Sequence, residues 1–184
     1  MSKTEIYNKE FLINKAIKFL NENSMNIENM NSRDFAKYAG ISTQPIFRNY
    51  SNMDEFKLDI RDCLKEKYSK YLAKNVDQNN FLFSLFYNFI KYAKNNPTSF
   101  KIIFYSTYAS KRTMEEILNS KPNQESRIKI EKRYNLDSEK CEEIYRDLRL
   151  YCHGIANQII YEKLIIKESD VKVLLENMIE KLLK

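Results

Sequence analysis

Residues 35–56 read FAKYAGISTQPIFRNYSNMDEF and carry two helix breakers, Gly40 and Pro45, in a chain that holds only two glycines and three prolines. A glycine at a helix C-terminus supplies the left-handed conformation that ends the helix. Upstream, Asn31 is placed to cap a short helix with Asp34 at its third position, a capping-box spacing suited to the positive helix end. Phe35, Ala36 and Ala39 then share its inward face, and Ile41 plugs the turn. With Ser42 as the next cap, Pro45 falls in a first turn, where backbone N–H groups lack intrahelical partners anyway. The segment reads as two short helices joined by a tight turn.

The rest of the chain is also patterned for helices. So few glycines and prolines leave little turn chemistry for hairpins, which points to an all-α fold over the 184 residues. A first helix is expected from about Thr4 to Glu22, burying Leu12, Ala16, Phe19 and Leu20, followed by a polar loop, NENSMNIENMNS. Asn52 caps a long helix with Phe56, Ile60, Leu64, Tyr68 and Leu72 on one side, ended by VDQNN. FLFSLFYNFI, residues 81–90, is apolar nearly all round and so reads as a buried helix. Pro97 opens another with Phe100, Ile103 and Phe104 inward, and NSKPNQES around Pro122 reads as a loop. Two C-terminal helices follow, one from Ser138 and one from about Ser169 to Leu183. The division expected is a helix–turn–helix domain over 1–52 and a larger helical domain over 53–184.

Several function classes find no support. Two glycines cannot build a phosphate-cradling GxGxxG or Walker loop. Three cysteines, Cys63, Cys141 and Cys152, form no metal-binding spacing and suit a reducing cytosol. His153 is the single histidine and reads as a structural residue on a packed helix. Neither an enzyme nor a resident cofactor or metal is expected. The first twenty residues carry charges throughout and no apolar h-region, and no long apolar run exists, so a cytoplasmic protein with no membrane partner is expected. A net charge of +6 permits nucleic-acid binding without arguing for it.

The helix–turn–helix itself is more specific. Phe35-Ala36, Ala39-Gly40, Ile41-Ser42, Ile46-Phe47, Tyr50 and Met53-Asp54-Glu55-Phe56 follow, without a gap, the pattern of the N-terminal domain of the tetracycline-repressor (TetR/AcrR) family. The chain resembles that family over about residues 10–60. Three positions depart from the pattern: Phe47 stands for the usual Tyr, Tyr50 for the usual Phe, and Met53 for a common Lys. The first and third remove phosphate contacts, which shifts that load to Arg48, Lys57 and Lys3.

The resemblance implies a ligand-responsive transcriptional repressor that reads a palindromic operator in double-stranded DNA as a homodimer. It places Arg33, Ser42, Thr43, Gln44, Pro45, Phe47, Arg48 and Asn49 at the DNA, with Gln44 suited to an adenine edge. It also implies a small apolar or aromatic effector, for which the aromatic residues Phe83, Phe86, Tyr87, Phe104 and Tyr108 are candidates. An isologous dimer interface on the two C-terminal helices would use Leu148, Tyr151, Gly154, Ile155, Leu174 and Met178. The rival reading is a degenerate helix–turn–helix protein, a protein-interaction module or a carrier of apolar molecules that does not bind DNA.

Overall fold

Asn8 starts the first helix, its side-chain oxygen accepting the Phe11 N–H at 2.9 Å. The computed structural model describes residues 7–184, so the expected start at Thr4 lies outside the described residues, and Tyr7 and Asn8 precede the helix. Ten helices and a 3-10 turn, with no strand, occur among the described residues. They are α1 (Lys9–Glu22), the 3-10 turn (Ile27–Asn29), α2 (Ser32–Ala39), α3 (Gln44–Asn49), α4 (Met53–Asn75), α5 (Phe81–Asn95), α6 (Pro97–Phe104), α7 (Met114–Leu118), α8 (Lys121–Tyr134), α9 (Ser138–Ile160) and α10 (Glu168–Leu183). The all-α expectation is met.

Two compact units divide the chain. The first takes the described residues up to Lys70 together with Asn96–Ser110, so it is not confined to residues before 53. Its core is built from α1 (Leu12, Ile13, Ala16, Phe19, Leu20), Phe35 and Ala36 of α2, Ile46 of α3, and Phe56, Ile60 and Leu64 of α4. Fully burying a side chain of this size contributes roughly 1.5–3 kcal/mol. Phe35, Tyr50 and Phe56 form an aromatic knot, with ring centroids 5.4 and 4.7 Å from that of Phe56. The stretch read as a polar loop between α1 and α2 is anchored: Ile27 and Met30 are buried across the 3-10 turn.

Residues 105–110 are fixed to the same unit by polar contacts. Glu28 Oε1 accepts the Thr107 N–H at 2.7 Å, the Tyr108 hydroxyl donates to Asp54 at 2.6 Å, and Arg61 donates to Ser110 Oγ at 2.8 Å. Lys57, only 6% exposed, donates to the Glu28 carbonyl at 2.9 Å with its ammonium 5.7 Å from the Tyr108 ring centre. A buried ammonium is tolerated only with such partners.

The second unit contains Tyr71–Asn95 and Lys111–Lys184. α5 lies at its centre, packed against α9 and α10. Its two polar exceptions, Ser84 and Asn88, are buried as well, and both are satisfied by the chain just before the helix. Ser84 Oγ accepts the Asp77 N–H at 3.0 Å, and the Asn88 amide donates to the Asn75 carbonyl at 2.6 Å. The expected loop around Pro122 is instead helical. Thr113 and Glu116 form a reciprocal capping box for α7, Ser120 caps α8, and Pro122 sits in the first turn of α8, where it displaces no intrahelical bond. Asn135, at φ +52°, ends α8, and the Asp137 side chain caps α9 through the Lys140 N–H. The three cysteines are free thiols.

Candidate nucleic-acid interface

The helix–turn–helix is assembled by local chemistry. Asn31 Oδ1 accepts the Asp34 N–H at 2.9 Å, and its amide donates to the Asp34 carboxylate at 2.6 Å. At the other end of α2, Gly40 adopts φ +69°, and the Ile41 N–H returns to the Ala36 carbonyl at 3.0 Å. The Tyr38 hydroxyl donates to Glu22 at 2.5 Å, tying α2 to the end of α1; that bond pushes the phenol up to about 12. Ala39 and Ile41 are half-buried rather than fully inward. The cap of α3 is Thr43, not Ser42: Thr43 takes helical angles, its carbonyl accepts from Ile46 and Phe47, and Ser42 stays outside the helix. Pro45 is in the first turn of α3, as its missing N–H permits.

α3 therefore has two faces. Ile46 and Tyr50, four apart, are buried, and the Tyr50 hydroxyl donates to Asp59 at 2.9 Å. Burial first, and then that bond, raise the Tyr50 phenol. Gln44, Phe47 and Arg48 recur at the opposite phase and are exposed, Phe47 by 50%. Arg33 and Ser42 are exposed beside them in the sequence, and Thr43 and Pro45 are half-buried. Asn49 departs from expectation: its amide donates to the Pro45 and Tyr7 carbonyls at 2.8 and 3.0 Å, so it serves the fold. Lys57 cannot replace a lost phosphate contact, because its ammonium is buried on Glu28. Lys3 lies outside the described residues, and Arg48 is exposed.

The aromatic candidates fall into different units. Phe104 and Tyr108 belong to the first, where Phe104 meets Tyr68 edge-on at 5.5 Å and Tyr108 holds Asp54. Phe83, Phe86 and Tyr87 belong to the second. There Phe83 stacks on Tyr87 at 5.5 Å, the Tyr87 hydroxyl donates to Glu168, and buried Phe86 meets the Tyr145 ring at 5.3 Å. Close by in the second unit is a polar group that the sequence reading missed, because half of it, Asn123 and Arg127, lies on α8, where a loop was expected. Arg127 pairs with Glu142, and the Tyr145 hydroxyl donates to Asn123 at 2.9 Å. His153 packs on Phe89 with ring centres 4.6 Å apart; burial, and next the Arg149 charge, push it down to about 4.

Among the dimer candidates, Leu148 has no exposed surface and belongs to the core of its own unit, because α9 turns Cys141, Ile144, Tyr145, Leu148 and Cys152 inward. It is thereby removed from any surface a partner could touch. Gly154 and Leu174 are exposed, and Tyr151, Ile155 and Met178 are half-buried. Leu150 and Val173, each more than half exposed, extend that apolar surface beyond the residues named from sequence. Among the described residues no helix is long and apolar enough to cross a membrane, and no cluster of His, Cys, Asp or Glu could hold a metal ion.

The chain is similar in structure to a minocycline-bound glutamine-to-alanine variant of TetR from Acinetobacter baumannii AYE, at 14% identity and a TM-score of 0.57, covering 96% of this chain and 94% of that one. It is also similar to FadR, a fatty acid degradation regulator from Bacillus halodurans, at 13% identity and a TM-score of 0.52, covering 100% and 96%. At these identities the likeness is one of fold: the chain has the all-helical fold of these regulators, along its whole length. No protein-family model matches the chain, and no curated protein does.

Proposed function

We propose that the chain is a ligand-responsive, DNA-binding transcription repressor that acts in the cytoplasm as a homodimer on a palindromic operator. The observation that carries this reading is the outward stripe Gln44–Phe47–Arg48 on a helix whose other face is pinned by Ile46 and Tyr50. A short helix held on one side and exposed on the other is what major-groove reading requires. Gln44 is the base reader, its amide matching N6 and N7 of adenine. Arg48 and Arg33 neutralise phosphates, and neither has an ion-pair partner among the described residues. Ser42, Thr43 and Pro45 shape the approach, and Phe47 lies against the groove wall or sugar.

The dimer forms through α9 and α10, with Tyr151, Gly154, Ile155, Leu174 and Met178 in contact with their copies. Two-fold symmetry then presents two copies of α3, which is why the operator is palindromic. The effector binds in the second unit beside Phe83, Phe86 and Tyr87 and, by favouring one spacing of the two α3 helices, changes DNA affinity.

A mobility-shift titration on the DNA upstream of the protein's own gene tests this at several salt concentrations. Gln44→Ala should cost about 1–3 kcal/mol on the operator and relax selection at one base pair, while Arg48→Ala should weaken all sequences alike and flatten the salt dependence. Equal losses on operator and random DNA for Gln44→Ala would remove it as a reader. No salt-dependent shift at all would refute the regulator reading.

A further inference from the structure

We propose that one edge of the Arg127 guanidinium anchors the effector, so that the effector is an apolar or aromatic molecule carrying a single carboxylate. This deepens the effector reading above and rests on it. Arg127 is 8% exposed, on α8. Its Nη1 is committed to Glu142 of α9. Its Nη2 reaches Asn119 Oδ1 only at 3.5 Å, the outer limit of a hydrogen bond. Its buried Nε–H has no acceptor among the described residues.

Nε and Nη2 lie along one edge of the guanidinium plane and donate in parallel, the geometry that a carboxylate accepts with both oxygens. Leaving such a donor buried and unmatched is costly unless an acceptor arrives.

The surroundings fit an acid with an apolar body. The nearby polar groups are already spoken for: Tyr145 donates to Asn123 Oδ1, and the Asn123 amide donates to the Ile117 carbonyl at 2.7 Å. Tyr145, 4% exposed, presents its ring to Phe86, which joins this polar cluster to the aromatic run of α5. Burial raises the Tyr145 phenol, and the charges of Arg149 and Arg127 only partly oppose that rise. A single guanidinium edge offers two donors, which satisfies a carboxylate; a phosphate dianion would need more.

The test is calorimetric titration of the full chain with two matched pairs, decanoate against decanamide and benzoate against benzamide, with decyl phosphate as a further probe. In at least one pair the acid should bind about tenfold or more tightly than the amide. The double variant R127Q/E142Q replaces the ion pair by amides and leaves no stranded carboxylate; it should erase that preference while retaining amide binding, and R127K should keep only part of it. Circular dichroism and melting confirm that each variant folds, and if the double variant does not, the acid-to-amide ratio of the unaltered chain decides. Equal binding of acid and amide, a preference that survives in R127Q/E142Q, no binding of either acid, or tighter binding of decyl phosphate than of decanoate would each overturn the proposal. A mobility shift run in parallel separates the two readings: DNA binding without any acid preference refutes only the anchor.

Discussion

Replacing Gly40 by alanine isolates one term of the turn's energetics. An added Cβ at Gly40 would meet no atom within 4 Å, so packing contributes nothing and the cost is conformational. Holding an L-residue at the left-handed angles of Gly40, φ 69° and ψ 32°, costs roughly 1–2 kcal/mol. Stiffening the unfolded chain offsets about 0.4–1 kcal/mol of that. Gly40→Ala should therefore destabilise the protein by about 1 kcal/mol, and Gly40→Asn by less, because asparagine tolerates these angles. The other glycine supplies a control of opposite sign. Gly154 is exposed within α9, and a Cβ there also meets nothing within 4 Å, so Gly154→Ala should stabilise by up to about 1 kcal/mol. Because Gly154 lies on the proposed dimer surface, that gain should shrink at protein concentrations where the dimer fills. Urea unfolding with unchanged m-values reads both. If the two alanines shift stability with the same sign, or Gly40→Asn costs as much as Gly40→Ala, the backbone argument for the turn fails.

Two further outcomes are expected. Ile155→Glu combined with Leu174→Glu should give a folded monomer by light scattering and abolish the operator shift; a dimer that persists and binds DNA normally would place the interface elsewhere. His153 takes up its proton only near pH 4 in the folded chain but near 6.5 when unfolded, so the unfolded state binds more protons between those values. Stability should fall as pH drops from about 6.5 toward 4, by about 1–3 kcal/mol more than in His153→Gln, and level off below that; equal pH profiles of the two proteins in urea unfolding would show that burial of the ring is not what holds its proton off.

How much was legible depended on whether the deciding interaction was local. Asn31, Gly40, Pro45 and Asn52 act within four residues of themselves, and the helix–turn–helix they punctuate is present as read, apart from the shift of the α3 cap from Ser42 to Thr43. Pro122 obeys the same first-turn rule as Pro45, but its polar neighbours gave no apolar face to reveal α8. Ile27 and Met30 are too few to show a period, although both are buried. Lys57 did leave a signal: it stands beside Phe56 and three residues before Ile60, on the buried side of α4. On α9 the apolar stripe is wide enough for two neighbours, and periodicity cannot say that Leu148 faces its own unit. Arg127 and Glu142 meet across two helices joined by a turn, a pairing that the periodicity of neither helix can show.

The first unit is discontinuous: the chain leaves it after Lys70 and comes back at Asn96. The returning stretch brings Phe100, Ile102 and Ile103 into the core, together with the partners of Glu28, Asp54 and Arg61. A single cut downstream of α4 would thus release a fragment whose interior is unfinished, with Lys57 deprived of the Tyr108 ring. The piece that carries α3 is not a cassette. Transplanting its specificity onto another regulator calls for exchanging two separated stretches of chain together, or for grafting the exposed residues of α3 alone onto a host that already completes its own core.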